Sequence, residues 1–184
     1  MAAPETENAL ALPELTPPPH LLIVCAPFYH AIAEGLIAGA VATLDQVGAS
    51  HEVIRVPGAL EIPPAIRIAR DSHMYEGYIA LGCVIRGETT HYETVCNDSS
   101  RGLMDLGTGH GLAIGNGILT CETMAQAEVR ADPAAMNKGG GAAAAALHLI
   151  ALRRRFHPSP APDRPLPDGP EMLIAGAPGL NRTA

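Results

Sequence analysis

The chain has 184 residues, 47% of them hydrophobic but only 3% aromatic, with no Trp and a formal net charge of −7. That length suits one α/β domain with tails, and the scarcity of aromatics makes its core aliphatic and Ala-rich. The acidic balance disfavours a nucleic-acid binder, which presents a basic face, and no apolar run is long enough to span a bilayer. The four cysteines, Cys25, Cys83, Cys96 and Cys121, form no C-x-x-C pair and no zinc-type spacing with His. Three of them lie in or beside apolar segments, as buried free thiols do. The opening stretch lacks the basic start and apolar centre of a signal peptide, so a reduced, cytoplasmic setting is expected.

Residues 1–19 end in Pro17-Pro18-Pro19 and read as an extended, flexible tail. Leu21 to Ala26 is a short apolar run of buried-strand type. After the loop Pro27-Phe28-Tyr29-His30, the residues Ile32, Leu36, Ala40, Val41, Leu44 and Val47 recur at helical spacing, and Gly48 is a natural stop. Val53 to Val56 reads as a second strand. The loop from Pro57 leads to a helix with Pro64 in its first turn, ending near Arg70. Tyr78 to Ile85 is a third strand, Thr90 to Leu106 a helix, and Gly111 to Leu119 holds a fourth strand. Thr123 with Gln126 fits a capping box for a short helix reaching Arg130. Gly139 to Phe156 is a last, Ala-rich helix ending in three arginines, and residues 157–184 read as a Pro- and Gly-rich flexible tail.

Strand and helix alternate through residues 20–156, which predicts one α/β domain with a parallel sheet and helices on both faces. Ligands of such sheets bind beyond the carboxyl ends of the strands. The loops after Ala26, Val56, Ile85 and Leu119 all fall at such ends, so unrelated segments converge on one rim.

The richest of these ends is Gly82-Cys83-Val84-Ile85-Arg86-Gly87-Glu88-Thr89-Thr90-His91-Tyr92. Gly87 to Thr90 offers backbone N–H groups and hydroxyls to an anion, although a plain helix cap by Thr89 or Thr90 uses the same residues. The Glu88 carboxylate opposes an anion unless it points away. His91, at the start of a helix, supplies an imidazole able to take and return a proton, or one that merely bonds a loop carbonyl. Arg130 and Lys138 flank the loop between the last two helices and suit a phosphate or an electron-rich heterocycle, or plain solvation. Phe28 is one of only two Phe residues and lies in a strand-end loop, as a stacking plate or as a seal for the core edge. Glu61, at another strand end, suits a polyol or amide, and Asn116-Gly117 reads as a turn or bulge near the fourth strand. Gly139-Gly140-Gly141 permits close helix packing or an anion contact. There is no H-E-x-x-H, G-x-G-x-x-G or Walker pattern.

Four blocks, in order and each at a predicted loop, resemble the lumazine synthase family over residues 20–156. They are Val56-Pro57-Gly58-Ala59-Leu60-Glu61-Ile62-Pro63, the Gly82–Tyr92 stretch, Gly115-Asn116-Gly117-Ile118-Leu119-Thr120, and Arg130-Ala131 followed by Asn137-Lys138-Gly139. The resemblance implies a three-layer, flavodoxin-like fold with a four-stranded parallel sheet. It implies a condensation, without cofactor or metal, of 5-amino-6-(D-ribitylamino)uracil with L-3,4-dihydroxy-2-butanone 4-phosphate to 6,7-dimethyl-8-ribityllumazine, phosphate and water, in riboflavin biosynthesis. Carried onto this chain, it makes His91 the proton-transfer residue and Arg130 the partner of the phosphate. Glu88 and Thr89 hold that phosphate, Phe28 stacks on the pyrimidine, and Ala59, Leu60 and Glu61 contact the ribityl chain. Cys83, Val84 and Ile85 line the pyrimidine slot by their backbone, and Asn116 and Lys138 face the heterocycle from a neighbouring subunit. Asn116 stands where many members carry an aromatic, so a polar contact replaces stacking there. Glu88 stands where a small or neutral residue is common, so its backbone is the contact expected to serve.

The same resemblance implies a homo-oligomer built on pentamers with shared active sites, and riboflavin synthase as a candidate partner. The Ala131–Met136 loop differs from the Gly- and Lys-bearing loop associated with shells, so a pentamer or a small multiple is expected. Two rival readings use the same scaffold: a non-catalytic flavin- or lumazine-binding protein, and a shell-forming protein. Retention of both His91 and Arg130 argues against mere storage, which needs stacking but no phosphate elimination.

Overall fold

The computed structural model describes residues 10–157. Four strands, β1 (His20–Cys25), β2 (Ser50–Arg55), β3 (Gly77–Ile85) and β4 (Ile114–Cys121), alternate with helices α1 (His30–Asp45), α2 (Ile62–Arg70), α3 (His91–His110), α4 (Met124–Ala131) and α5 (Lys138–Phe156). A 3₁₀ turn at Ala59–Glu61 leads into α2, whose first turn carries the prolines. The strands are all parallel, in the order β2-β1-β3-β4. The chain thus leaves β1 to one side for β2 and returns to its other side for β3. This is the reversal point at which open α/β sheets open a crevice.

The side-chain alternation of the central strands builds two cores. Leu21, Ile23 and Cys25 of β1 and Ile79, Leu81 and Cys83 of β3 face one side, where α1, α4 and α5 cover them with Leu36, Leu44, Ala127, Ala143, Leu147 and Ile150. Leu22, Val24, Tyr78 and Ala80 face the other side, under Ile62 and Ile66 of α2 and Val95, Leu103 and Leu106 of α3. Burial on both faces is what lets β1 and β3 read as unbroken apolar runs. No described helix is long and apolar enough to cross a membrane.

Several element boundaries depart from the sequence expectation. The second strand begins at Ser50, not Val53, because its polar first half is held by pairing with β1, His20 opposite Ser50. Helix α3 runs past Gly107 and Gly109 to His110 and stops at Gly111, the residue that takes the left-handed conformation (φ +65°). The fourth strand accordingly starts at Ile114, and Asn116-Gly117 lies inside it rather than at a turn. The capping box is present with its return bond shifted: Gln126 N donates to Thr123 Oγ1, while Gln126 Oε1 accepts from Glu122 N, one residue before the cap.

Residues 10–19 are not a free tail. Leu15 is buried against the α1/α5 core, Pro19 O accepts from Ser50 N at 3.0 Å, and Pro17 O accepts from Arg154 Nη1 at 2.7 Å. The apolar residues spaced between the prolines have a surface to bury on, which Pro content alone does not reveal. The rest of the expected tails, residues 1–9 and 158–184, lies outside the described residues.

The glycine run at the start of α5 serves packing. A Cβ on Gly139 would sit 2.0 Å from Leu36 O of α1, and one on Gly115 of β4 would sit 1.8 Å from Ala142 O. Helix α5 is therefore pressed backbone-to-backbone on both neighbours, whereas Gly141 has open space around its Cα. Asn137 caps the helix from a left-handed conformation (φ +44°), its Oδ1 accepting from Gly140 N at 3.1 Å. Gly115→Ala is expected to cost about 2 kcal/mol or more through overpacking. Gly141→Ala is expected to gain about 0.5–1 kcal/mol from helix propensity alone. Urea unfolding midpoints of the two variants check this contrast.

Candidate active site

A cleft of about 430 Å³ opens at the carboxyl ends of β1, β2 and β3. The loop after β1 brings Phe28 and Tyr29, the loop after β2 brings Pro57 to Glu61, and the end of β3 brings Cys83, Val84 and Ile85. His91 and Val95, one turn apart on α3, close the remaining wall. The cleft thus joins Phe28, Ala59, Leu60, Glu61, Cys83, Val84, Ile85 and His91, all of them anticipated from sequence motifs.

Phe28 is 74% exposed and meets the Tyr29 ring edge-on at 5.0 Å between centroids. A core seal would be covered, so this ring is a presented apolar plate, braced by the tyrosine beside it. The Glu61 side chain is exposed and folds back over Gly58, where a Cβ would lie 2.9 Å from its Oε2. His91 begins α3 with an exposed imidazole, and its backbone N donates to Thr89 Oγ1 at 3.4 Å. Glu88 and Thr89 lie exposed on the short connection before α3 and do not line the cleft itself.

Asn116, Arg130 and Lys138 also lie outside the cleft of their own chain. Asn116 is exposed on β4, the strand at one edge of the sheet, with Oδ1 accepting from Ile118 N at 2.9 Å. Arg130 is in the last turn of α4, where its Nη1 donates to Gln126 O at 2.9 Å and its charge reaches the Cys121 thiol. Lys138 is the exposed first residue of α5, on the side of the sheet opposite α2 and α3. One chain therefore assembles the exposed ring, the strand end and the imidazole, and leaves its expected phosphate cation elsewhere.

Tyr29 and Val95 stand outside the sequence expectations for the site. Val95 is legible from spacing, four residues after His91 on the same helical face. Tyr29 is set by the sharp entry into α1, for which it is the N-terminal flanking residue. Arg86 is likewise unanticipated. Its Nε donates to Glu122 Oε2 at 2.7 Å, its Nη1 to Glu93 Oε1, and its guanidinium lies 4.1 Å over the Tyr92 ring.

A sequence model of the 6,7-dimethyl-8-ribityllumazine synthase family matches residues 18–154. The chain belongs to this family. The 6,7-dimethyl-8-ribityllumazine synthase of Jannaschia sp. is 51% identical over 154 residues, which is 84% of this chain and 86% of the relative. The enzyme of that name from Bartonella tribocorum is 56% identical over 144 residues, covering 78% of this chain and 95% of its own. That from Novosphingobium aromaticivorans is 58% identical over 135 residues, covering 73% and 96%. The match takes in the whole sheet and every loop of the cleft.

The buried thiols of a lumazine synthase fold built on this sequence carry a pH signature. Burial pushes Cys25 up from 9.0 to about 11, offset in part by the Arg55 charge, and pushes Cys83 up from 9.0 to about 12. Both folded-state values are raised, so the unfolded chain loses these protons first. Their stabilisation is complete below pH 9.0 and is lost progressively as the pH rises towards the folded-state values. Denaturant midpoints are expected to hold steady between pH 7 and about 8.5 and to fall above about 9, with Cys83→Ser flattening part of the fall.

Proposed function

We propose that this chain condenses 5-amino-6-(D-ribitylamino)uracil with L-3,4-dihydroxy-2-butanone 4-phosphate, giving 6,7-dimethyl-8-ribityllumazine, phosphate and water. The observation that carries the reading is the conjunction, in one cleft at the sheet's reversal point, of an exposed Phe28 ring, an open strand end and the His91 imidazole. A flat heterocycle stacks on Phe28 while its polar edge is held by backbone groups of Cys83, Val84 and Ile85. The ribityl hydroxyls run along Ala59 and Leu60 to the Glu61 carboxylate. The phosphate of the second substrate sits at the start of α3, where unpaired N–H groups and the Thr89 hydroxyl favour an anion.

The uracil amine attacks the ketone, and loss of water gives an imine. Removal of the proton beside the imine then drives out phosphate and leaves an enol, which tautomerises to a ketone, and closure of the second nitrogen onto that new carbonyl expels a second water. His91 takes and returns protons in these steps, and Arg130 pairs with the departing phosphate. Both substrates are intrinsically reactive, so holding them together accounts for much of the acceleration.

Arg130 lies outside its own chain's cleft, and the same holds for Asn116 and Lys138. We assign all three to the cleft of an adjacent subunit in a homopentamer. The proposed setting is the cytoplasm, and riboflavin synthase, which consumes the product, is the proposed partner.

Purified protein mixed with both substrates is expected to produce lumazine fluorescence and free phosphate together, saturably and well above the protein-free rate. A rate at that baseline from folded protein would overturn the reading. His91→Ala is expected to lower kcat about 10- to 100-fold with KM little changed, as for loss of a general acid–base. Arg130→Ala is expected to lower kcat/KM for the phosphate substrate about 100-fold or more. Co-refolding equal amounts of the two impaired variants is expected to restore about a quarter of wild-type activity if each site draws on two chains, and no more than the variants' own residual activity if it draws on one.

A further inference from the structure

The segment assigned to the phosphate is surrounded by negative charge. Glu88 lies within it, Glu93 is in the first turn of α3, and Glu122 follows β4. Carboxylates near a phosphate dianion repel it, to an extent that solvent screening keeps modest for exposed groups such as these. Arg86 removes two of them. Its guanidinium bonds Glu93 with Nη1 and Glu122 with Nε, and sits 4.1 Å over the Tyr92 ring. Its backbone N donates to Cys121 O at 3.0 Å, which ties the end of β3 to the end of β4. Gly87 to Thr90 therefore hangs between one end fixed to the sheet and another fixed, through Glu93, to the same arginine.

From this geometry we propose that Arg86 is a positioning residue for the phosphate-bearing substrate. It withdraws the Glu93 and Glu122 carboxylates from the anion site. The inference rests on the phosphate placement proposed above. Arg86 itself does not touch the substrate. Its cation is spent on the two carboxylates, and what it gives the site is the absence of their charge. A bland staple between two loops would also use these bonds, but it would not care whether Glu93 and Glu122 are charged.

That difference is measurable. Arg86→Gln is expected to raise KM for the butanone phosphate about tenfold, leaving KM for the uracil substrate within about twofold, since two partly exposed charges are uncovered near one substrate only. Glu93→Gln and Glu122→Gln added to Arg86→Gln are expected to return the phosphate-substrate KM most of the way to wild type. Equal rises in both KM values, or a triple variant no better than Arg86→Gln, would overturn the proposal in favour of a staple. If Arg86→Gln does not fold, Glu93→Gln with Glu122→Gln in the Arg86 background decides the question. Calorimetry with inorganic phosphate is then expected to show binding tightened about five- to tenfold, and unchanged binding would overturn the proposal. The phosphate titration needs no turnover. A wild-type protein that binds phosphate with the expected dependence on these variants, yet makes no lumazine, would overturn the proposed reaction and leave the Arg86 role standing.

Discussion

Everything in this fold depends on β1 being hydrogen-bonded on both sides while it is buried on both faces. Leu21 to Cys25 have no exposure, so the strand can be satisfied only inside a sheet and under two layers of helix. With β2 on one side and β3 on the other, all in parallel, every strand must deliver its chain to the same rim. The helices that return the chain leave in different directions from the two sides of β1 and cannot fill the space above it. The cleft is that space. Its lining is then a matter of which side chains sit at or just past the end of each strand, and here those are Ala26, Phe28 and Tyr29 after β1, Pro57 to Glu61 after β2, and Cys83 to Ile85 with His91 at the end of β3.

The layer under α5 shows how an aliphatic chain with almost no aromatics reaches a dense interior. Large rings are replaced by proximity: Gly139 lets α5 meet the α1 backbone at Leu36, Gly115 lets β4 meet the α5 backbone at Ala142, and Gly39 and Gly140 make room for the Asn137 side chain between the helices. Such contacts gain dispersion energy from many short atom pairs rather than from a few large groups. At Gly139 and Gly115 they also leave no slack, because no side chain stands between the main chains to adjust. The rigidity of that side contrasts with the cleft side, where the Phe28 ring lies largely in solvent.

The alternation of apolar runs and helical spacing made the α/β architecture legible, because β1 and β3 are buried on both faces and display nothing else. Polar β2 and the Gly-bearing end of α3 were harder to delimit. Pairing to a neighbour holds Ser50 to Glu52 in a strand, and Gly107 and Gly109 cost a helix something without ending it. Cleft residues that sit at strand ends, such as Glu61, Cys83 and His91, were readable from order along the chain. The web around Arg86 was not, since Glu122 is 36 positions away and joins only when β3 and β4 pair. Nor was the seat of Leu15, whose neighbours read as Pro-rich and whose segment is pinned by Arg154, 137 positions from Pro17. The separation of Arg130 from the cleft of its own chain is likewise a three-dimensional fact. In sequence it lies among the same ordered blocks as His91.

The contact between Arg154 and Pro17 also settles the geometry of the domain's two ends. Arg153 and Arg154 grip Glu76, just before β3, while Arg154 reaches the residue three places before β1. Entry and exit of the polypeptide thus meet at the amino-terminal rim of the sheet, the rim remote from the cleft. For protein engineering this is a convenient arrangement. Pro17 and Arg154 touch, so a short linker between these two flanks would close the described domain into a ring, as circular permutation requires.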